Sequence, residues 1–427
     1  MAGFRMTSFY PYYSTMSLYE WVQNQIKESF AFIANEYSDD LLQRVIRPDR
    51  VMEFYIPVKM DDWKTKVFTS YRSQHNNARG PYKWWLRFHH NVSKDEVMSL
   101  SAWMSLKTSV VGIPLWWWKW WIIVDPKTLS KWELERLSRW FAAKLTPFIW
   151  KEVDVPAPDV NTTWEIMWWM VDEYSKLVGV WTPGVITWKP LSIWWSQWRE
   201  KATSLWWCFT IDEYFKNSWQ SLAWKTIAIQ WAWNVWLNFA TLIVHNYWAK
   251  VVAISDSKWW IYNPDWIDVD KIEKLKTENK PVSEYTDASQ ISNDDLLLLD
   301  VDVLVPSALE QVIHADNANK IQAKVILEMA NWPVTPEADK ILASKNIPVL
   351  PDVLANAWWV TVSYFEQVQN NTNYYWPESE VNEKLEAIMR PSTLDVINTA
   401  NKYKTTLRNG AYIVSLRRIL EAMKVKN

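Results

Sequence analysis

A folded chain of 427 residues must place residues that tolerate a left-handed backbone at its tight turns, and this sequence has only 6 glycines to do so. Average usage, roughly 7%, would give about 30. The excess falls on tryptophan, of which there are 36. Tryptophans that belong to a core follow a helical or strand period; these follow turn signals. Trp63 comes after Asp61-Asp62, Trp266 after Asn263-Pro264-Asp265, and Trp332 lies between Asn331 and Pro333. Asp or Asn beside Pro opens a turn in which glycine is the favoured next residue. The run Trp116-Trp117-Trp118-Lys119-Trp120-Trp121 puts five indoles on six consecutive residues, and no helix or strand buries every face at once. Two readings follow. The literal one is an aromatic surface for a membrane interface or for stacking on sugars. The other is that tryptophan is written where the chain carries glycine. This happens when UGA codons that some bacterial lineages read as glycine are translated as tryptophan. The turn chemistry favours the second.

Charge and composition exclude several functions. The net charge of −2 makes no electrostatic case for nucleic acid or an anionic membrane. A single cysteine, Cys208, rules out an intrachain disulfide and fits a reducing cytoplasm. His75, His89, His90, His245 and His314 show no metal-ligand spacing, so no metal is expected. Residues 1–11 lack the basic-then-apolar pattern of a signal peptide. The longest apolar stretch, 110–124, is broken by Pro114 and Lys119 and is too short to span a bilayer. Neither a nucleic-acid nor a membrane partner is expected.

The chain reads as α/β. Helical spacing covers 17–37, 95–107 and 131–149, and an extended segment covers 50–59. From Thr226 short apolar runs at 226–230, 250–255, 301–305, 324–327 and 347–350 alternate with helical or loop segments, the pattern of a doubly wound parallel sheet. The tail, 378–423, is helical. The expectation is two domains. An N-terminal α/β substrate domain spans 1–185, with C-terminal helices 366–427 packing back on it. A Rossmann-type dinucleotide-binding domain spans 186–365.

The first strand of that pattern leads into Trp231-Ala232-Trp233-Asn234-Val235-Trp236. With glycine for each tryptophan it becomes G-A-G-N-V-G, a G-x-G-x-x-G loop between strand and helix. The first glycine makes the turn, the second admits the pyrophosphate against the backbone, and the third lets helix pack on strand. Asp256 ends the next strand 20 residues after Trp236, where an acidic residue bonds the ribose hydroxyls of NAD. Read literally, three indoles fill the phosphate site.

Four further segments carry a resemblance. They are Gln74-His75-Asn76-Asn77-Ala78-Arg79-Gly80-Pro81-Tyr82-Lys83-Trp84-Trp85-Leu86-Arg87-Phe88, Pro114 to Trp121, Pro156-Ala157-Pro158-Asp159-Val160-Asn161-Thr162, and Asn356-Ala357-Trp358-Trp359-Val360-Thr361-Val362-Ser363-Tyr364-Phe365-Glu366. In order and spacing they resemble the glutamate dehydrogenases of the Glu/Leu/Phe/Val dehydrogenase family, with tryptophan at family glycines, from about Ser17 to Met423. The resemblance implies reversible oxidative deamination of L-glutamate to 2-oxoglutarate and ammonium with NAD or NADP, NAD being favoured by Asp256. It also implies a cytoplasmic homo-hexamer. It assigns Lys119 as the catalytic lysine and Asp159 as the proton-relay carboxylate. Lys83 meets the substrate's side-chain carboxylate, with Ser363 adding a hydrogen bond, and Lys107 meets the α-carboxylate. Thr203, Asn234 and Asn356 resemble cofactor contacts, beside Trp231, Trp233, Trp236 and Asp256. The chemistry fits these residue types: cations hold a dicarboxylate, and a lysine among other cations loses basicity enough to act as a base near neutral pH. Ser204-Leu205 stands where the family has Gly-Arg, and Arg408-Asn409-Gly410 where it has Arg-Thr-Ala. A leucine, valine or phenylalanine dehydrogenase is the alternative within the family. An inactive aromatic-rich protein is the alternative if tryptophan is literal.

Overall fold

The computed structural model describes residues 17–188, 199–231 and 235–426, without the side chains of 84, 116–119, 199–203 and 235–236. It divides into two compact α/β units. One comprises 17–105, 115–188 and 422–426, and the other 106–114, 199–231 and 235–421.

The first unit is built on a five-stranded sheet in the order β1-β2-β4-β3-β5. Its strands are β1 (Arg50–Lys59), β2 (Thr65–Gln74), β3 (Tyr82–His89), β4 (Trp116–Ile123) and β5 (Asp154–Pro158). β1 and β2 pair antiparallel, as do β2 and β4, whereas β3 runs parallel to both β4 and β5. β5 is buried along its whole length, the condition under which strands lose the polar–apolar alternation that makes them legible. The helices beside this sheet start where capping chemistry directs. Ser17 and Glu20 form a reciprocal capping box ahead of helix Leu18–Ala31, and Ser130 and Glu133 another ahead of helix Lys131–Leu145.

The second unit holds a seven-stranded sheet in the order β12-β11-β10-β6-β7-β8-β9. Its strands are β6 (Thr226–Gln230), β7 (Lys250–Ser255), β8 (Trp260–Tyr262), β9 (Ser289–Ile291), β10 (Val303–Pro306), β11 (Val325–Leu327) and β12 (Val349–Leu350). Five strands, from β12 through β7, are parallel, and β8 and β9 close one edge antiparallel. Ile227, Ala228, Val251, Leu304, Ile326 and Leu350 are among its fully or almost fully buried side chains. From β6 the chain steps to β7 on one side and later to β10 on the other, so the strand order reverses between β6 and β10. In open α/β sheets ligands bind outside the carboxyl ends of the strands at such a point.

The expected helical tail is two helices, Glu378–Tyr403 and Leu407–Lys426, separated where Lys404 turns left-handed at φ +48°. Arg390 on the first ties it to Asp212 and Glu213 of helix Arg199–Asn217. A Cβ on Gly410 would lie 2.8 Å from the carbonyl oxygen of Val396, so the residue that departs from Arg-Thr-Ala is the one that lets the two helices touch.

The tryptophans behave as the turn signals foretell. Among the described residues 13 non-glycine residues have positive φ, and Trp63, Trp188, Trp219, Trp224, Trp231, Trp248 and Trp332 make up seven of them. Several hang in solvent: Trp219 is 98% exposed and Trp63 79%. Others are forced inward. Trp120 is fully buried with its indole N–H pressed on the Ser70 hydroxyl, and the Trp121 indole N–H is buried with no hydrogen-bond partner. The left-handed region costs a residue with a Cβ about 1–2 kcal/mol. Glycine returns part of that through greater unfolded-state freedom. Trp219→Gly and Trp248→Gly are each expected to raise unfolding free energy by about 1 kcal/mol in denaturant titrations. Unchanged or lowered midpoints would show that the tryptophans suit these turns.

Candidate active site

In the first unit the sheet lines up the lysine positions. Lys83 on β3 pairs with Trp117 on β4, and Trp85 pairs with Lys119. Successive residues alternate faces, so positions 83 and 119 share a sheet face, two residues apart along adjacent strands. The Lys119 side chain lies outside the described ones. Lys83 is fully buried, and its ammonium donates to the carbonyls of Val155 at 3.2 Å and Pro156 at 3.3 Å and to the Thr187 hydroxyl at 2.5 Å. An ammonium carries three donors, and a lysine survives such burial only when they are satisfied. Asp159 follows β5, its amide donating to the Leu86 carbonyl at 3.1 Å and its carboxylate accepting from Arg87 Nε at 2.6 Å. Elsewhere in the same sheet, Arg72 on β2 and Asp154 on β5 form an ion pair with no solvent exposure. The sequence reading did not single out that pair, because neither residue sits in a motif.

In the second unit Trp231 opens the loop after β6 at φ +70°, its amide donating to Ser255 Oγ at 2.7 Å. Trp233 and Asn234 lie outside the described residues. The side chains of Trp236, on helix Val235–Tyr247, and Thr203, on helix Arg199–Asn217, do so as well. Asn356 caps helix Asp352–Ala355. Its side chain accepts from the Trp207 indole at 3.1 Å and donates to the Ala330 carbonyl at 3.2 Å. Ser363 is fully buried on helix Trp358–Thr372.

Asp256 accepts four hydrogen bonds. One carboxylate oxygen accepts from the amides of Lys258 at 2.9 Å and Trp259 at 3.0 Å, the other from the Val282 amide at 2.9 Å and Lys276 Nζ at 3.1 Å. Burial on its own would raise its pKa; the Val282 and Lys258 amides and the Lys276 ammonium outweigh burial and hold it below the usual carboxylate value. The carboxylate thus organises the turn after β7, with a cation beside it.

Lys107, in the last turn of helix Lys94–Val110, donates to Asn331 Oδ1 at 2.8 Å and lies 3.9 Å from Asp352 Oδ2. Behind it sit Glu328, unmarked in the sequence, and Arg408, noted there only as the first residue of a segment that departs from the family pattern. Arg408 Nη2 bonds Glu328 Oε1 at 2.6 Å and Nη1 lies 3.6 Å from Asp352 Oδ1. The available signal was Glu328 itself, a carboxylate directly after the wholly buried strand β11. Burial raises its pKa, with Arg408 opposing and Asp352 adding. Among the described residues no group of His, Cys, Asp and Glu is arranged to hold a metal.

One α/β unit whose strand order reverses beside a strand-to-helix turn, and another that holds the buried Lys83, make a two-domain α/β architecture of the kind that binds ligands at such a switch point. The sequence matches the Glutamate/Leucine/Phenylalanine/Valine dehydrogenase family over residues 196–427, and that family's dimerisation domain over 48–176. The chain belongs to this family. It is 43% identical to a glutamate dehydrogenase of Thermotoga maritima over 96% of this chain and 98% of that one. It is 42% identical to the NADP-specific glutamate dehydrogenase A1 of Halobacterium salinarum, over 95% and 97%. It is 42% identical to the catabolic NAD-specific glutamate dehydrogenase of Bacillus subtilis, over 96% of each. The crystal structure of glutamate dehydrogenase from Peptoniphilus asaccharolyticus superposes with a TM-score of 0.87 at 36% identity, covering 96% of this chain and all of that one.

The bonding of Asp256 makes a pH prediction. Its folded pKa is depressed, so its contribution is present above the unfolded carboxylate pKa and lost as pH falls through the lower folded one. Asp256→Asn is expected to be less stable than the parent at pH 7, with the gap closing in denaturant titrations taken down through the carboxylate range. A gap independent of pH would show that its charge contributes nothing.

Proposed function

We propose that this chain catalyses the reversible oxidative deamination of L-glutamate to 2-oxoglutarate and ammonium with NAD or NADP. The observation that carries the reading is Lys83: an ammonium with no solvent exposure, on the sheet face shared by position 119, in a chain of this family. The acceptors at Val155, Pro156 and Thr187 are neutral. A substrate carboxylate that displaces one of them keeps a charge-assisted hydrogen bond and adds the attraction between two opposite charges, which is strong away from water. A buried cation at this place suits a side-chain carboxylate and opposes the apolar side chains of leucine, valine or phenylalanine. Ser363 adds a hydroxyl to the same carboxylate, and Lys107 takes the α-carboxylate. Lys119 removes the proton from the substrate amine and Asp159 relays it, Arg87 holding Asp159 in place.

The residues at the β6 turn fit a dinucleotide once glycine stands in the loop. Trp231 already has the left-handed backbone that the first position of a G-x-G-x-x-G loop requires, and the loop lies where the strand order reverses. The nicotinamide cofactor supplies the hydride acceptor. The chain contributes the backbone of the loop at 231, 233 and 236, with Asn234, Thr203 and Asn356 as further contacts, and Asp256 at the ribose end. NAD is favoured by the carboxylate of Asp256, which repels a 2′-phosphate; the Lys276 ammonium softens that repulsion, so NADP remains a usable partner. The assembly proposed is a cytoplasmic homo-hexamer. No described helix is long and apolar enough to cross a membrane, and Cys208 is buried.

We also infer that the tryptophans at family glycine positions are glycines in the working protein. The support is conformational: seven of them occupy the left-handed region. At about 1–2 kcal/mol each, their combined strain rivals a total stability of about 5–15 kcal/mol.

In the glycine-bearing chain, glutamate is expected to reduce NAD, and Lys119→Ala to lower kcat by about 10²–10⁴-fold, the usual worth of a positioned acid–base group. Equal turnover by Lys119→Ala and the parent would end the assignment of Lys119.

A further inference from the structure

The second unit contains a cluster of five charged side chains: the substrate lysine Lys107, and four that the reaction as described does not use, Glu328, Asp339, Asp352 and Arg408. Glu328 is fully buried, Asp352 is 3% exposed and Arg408 is 8% exposed. Arg408 reaches three carboxylates: Glu328 at 2.6 Å, Asp339 at 3.4 Å and Asp352 at 3.6 Å. Glu328 uses its other oxygen to accept the Asp352 amide at 2.7 Å. Asp352 is therefore gripped through both backbone and side chain. Its carboxylate is divided: Oδ1 faces Arg408, and Oδ2 accepts the Trp332 amide at 3.3 Å and faces Lys107 at 3.9 Å.

Desolvating so many charges is expensive, and apolar replacements of such clusters are often no less stable. The arrangement therefore asks for a reason besides stability. Its geometry supplies one. The chain of contacts runs from Glu328 and Arg408 through Asp352 and ends on the ammonium of Lys107. At 3.9 Å Asp352 acts on that ammonium by charge and does not take one of its hydrogens in a hydrogen bond; the nearer contact is with Asn331 Oδ1 at 2.8 Å. Lys107 is thus held between a neutral acceptor and a fixed negative charge, at the helix C-terminus, where the dipole also favours a cation.

We propose that Asp352, fixed by Arg408 and Glu328, is a positioning residue that aims Lys107 at the substrate's α-carboxylate. The proposal rests on the reading of Lys107 as a substrate lysine. Asp352 touches neither substrate nor cofactor in this role; it acts by narrowing the positions open to a long, flexible side chain. A lysine so restrained gives up little further rotamer freedom when an anion binds.

The test is a double-mutant cycle in full-length, glycine-bearing enzyme, with KM for glutamate and kcat measured at saturating NAD. Lys107→Gln is expected to raise KM. Asp352→Asn is expected to raise KM about tenfold, within the range of coupling between neighbouring side chains, with a smaller change in kcat. The double variant should have the KM of Lys107→Gln alone, since Asp352 has nothing left to aim. Asp352→Glu, which keeps the charge, should recover part of the loss. If Asp352→Asn does not fold, Glu328→Gln replaces it; that variant keeps an acceptor for the Asp352 amide but loses the charge that fixes Arg408, and its KM should move the same way. Additive effects in the cycle, or a fall in kcat and thermal midpoint at unchanged KM, overturn the proposal while leaving Lys107 its role. An unchanged KM in Lys107→Gln overturns that role and the proposal together.

Discussion

The constraint on which this fold depends is the direction of the backbone at its turns. A doubly wound sheet needs a reversal after every strand and every helix, and many of the short reversals pass through the left-handed region. In this chain those points fall at Trp219 and Trp224 before β6, Trp231 after it, Trp248 before β7, and Trp332 after β11. Each stands between two elements whose packing is otherwise ordinary, and each carries the largest side chain available where the backbone asks for none. The sheet beyond them is well formed: Ile227 pairs with Val251 and with Val303, and all three are fully buried. The backbone strain in this unit lies at the turns.

The buried charges are arranged by the same parallel strands. The β3–β5 register sets Lys83 beside Val155 and Tyr82 beside Asp154, and Lys83 Nζ reaches the Val155 and Pro156 carbonyls of β5. Arg72 reaches Asp154 from the far side of β4. In the other unit β11 and β12 deliver Glu328 and Asp352, each directly or almost directly after the strand's last residue, and helix Leu407–Lys426 brings Arg408 to them. Parallel strands put their carboxyl ends at one edge of the sheet, so polar residues that end neighbouring strands meet there. This convergence brings Glu328 and Asp352 into contact, although they lie 24 residues apart in the sequence.

Much of this was legible beforehand. The strands 226–230 and 250–255 match their expected bounds, because they are short apolar runs flanked by turn residues. The extended segment 50–59 also matches. β4 was not legible as a strand: five of its eight residues are tryptophan, which hides any alternation. β5 reads as a loop motif, since two of its five residues are proline. The candidate roles of Lys83, Lys119, Asp159 and Ser363 came from their motifs, and that of Lys107 from the family resemblance. Those of Arg72, Glu328, Asp352 and Arg408 did not, because their meaning lies in contacts across 20 to more than 80 residues of chain, as in Asp352 with Glu328 and Arg408 with Glu328. Asp256 shows the opposite limit. Its place at the end of β7 was clear, yet the four donors that hold its carboxylate come partly from Lys276 and Val282, beyond any local pattern.

The central claim is that tryptophan stands for glycine throughout a working dehydrogenase. The tryptic peptide 108–119 from protein isolated from its native host tests it most directly, since it ends on Lys119 and contains Trp116, Trp117 and Trp118. The account predicts a peptide mass with glycine at all three positions, confirmed by fragment sequencing. A peptide with three tryptophans ahead of Lys119 would contradict it.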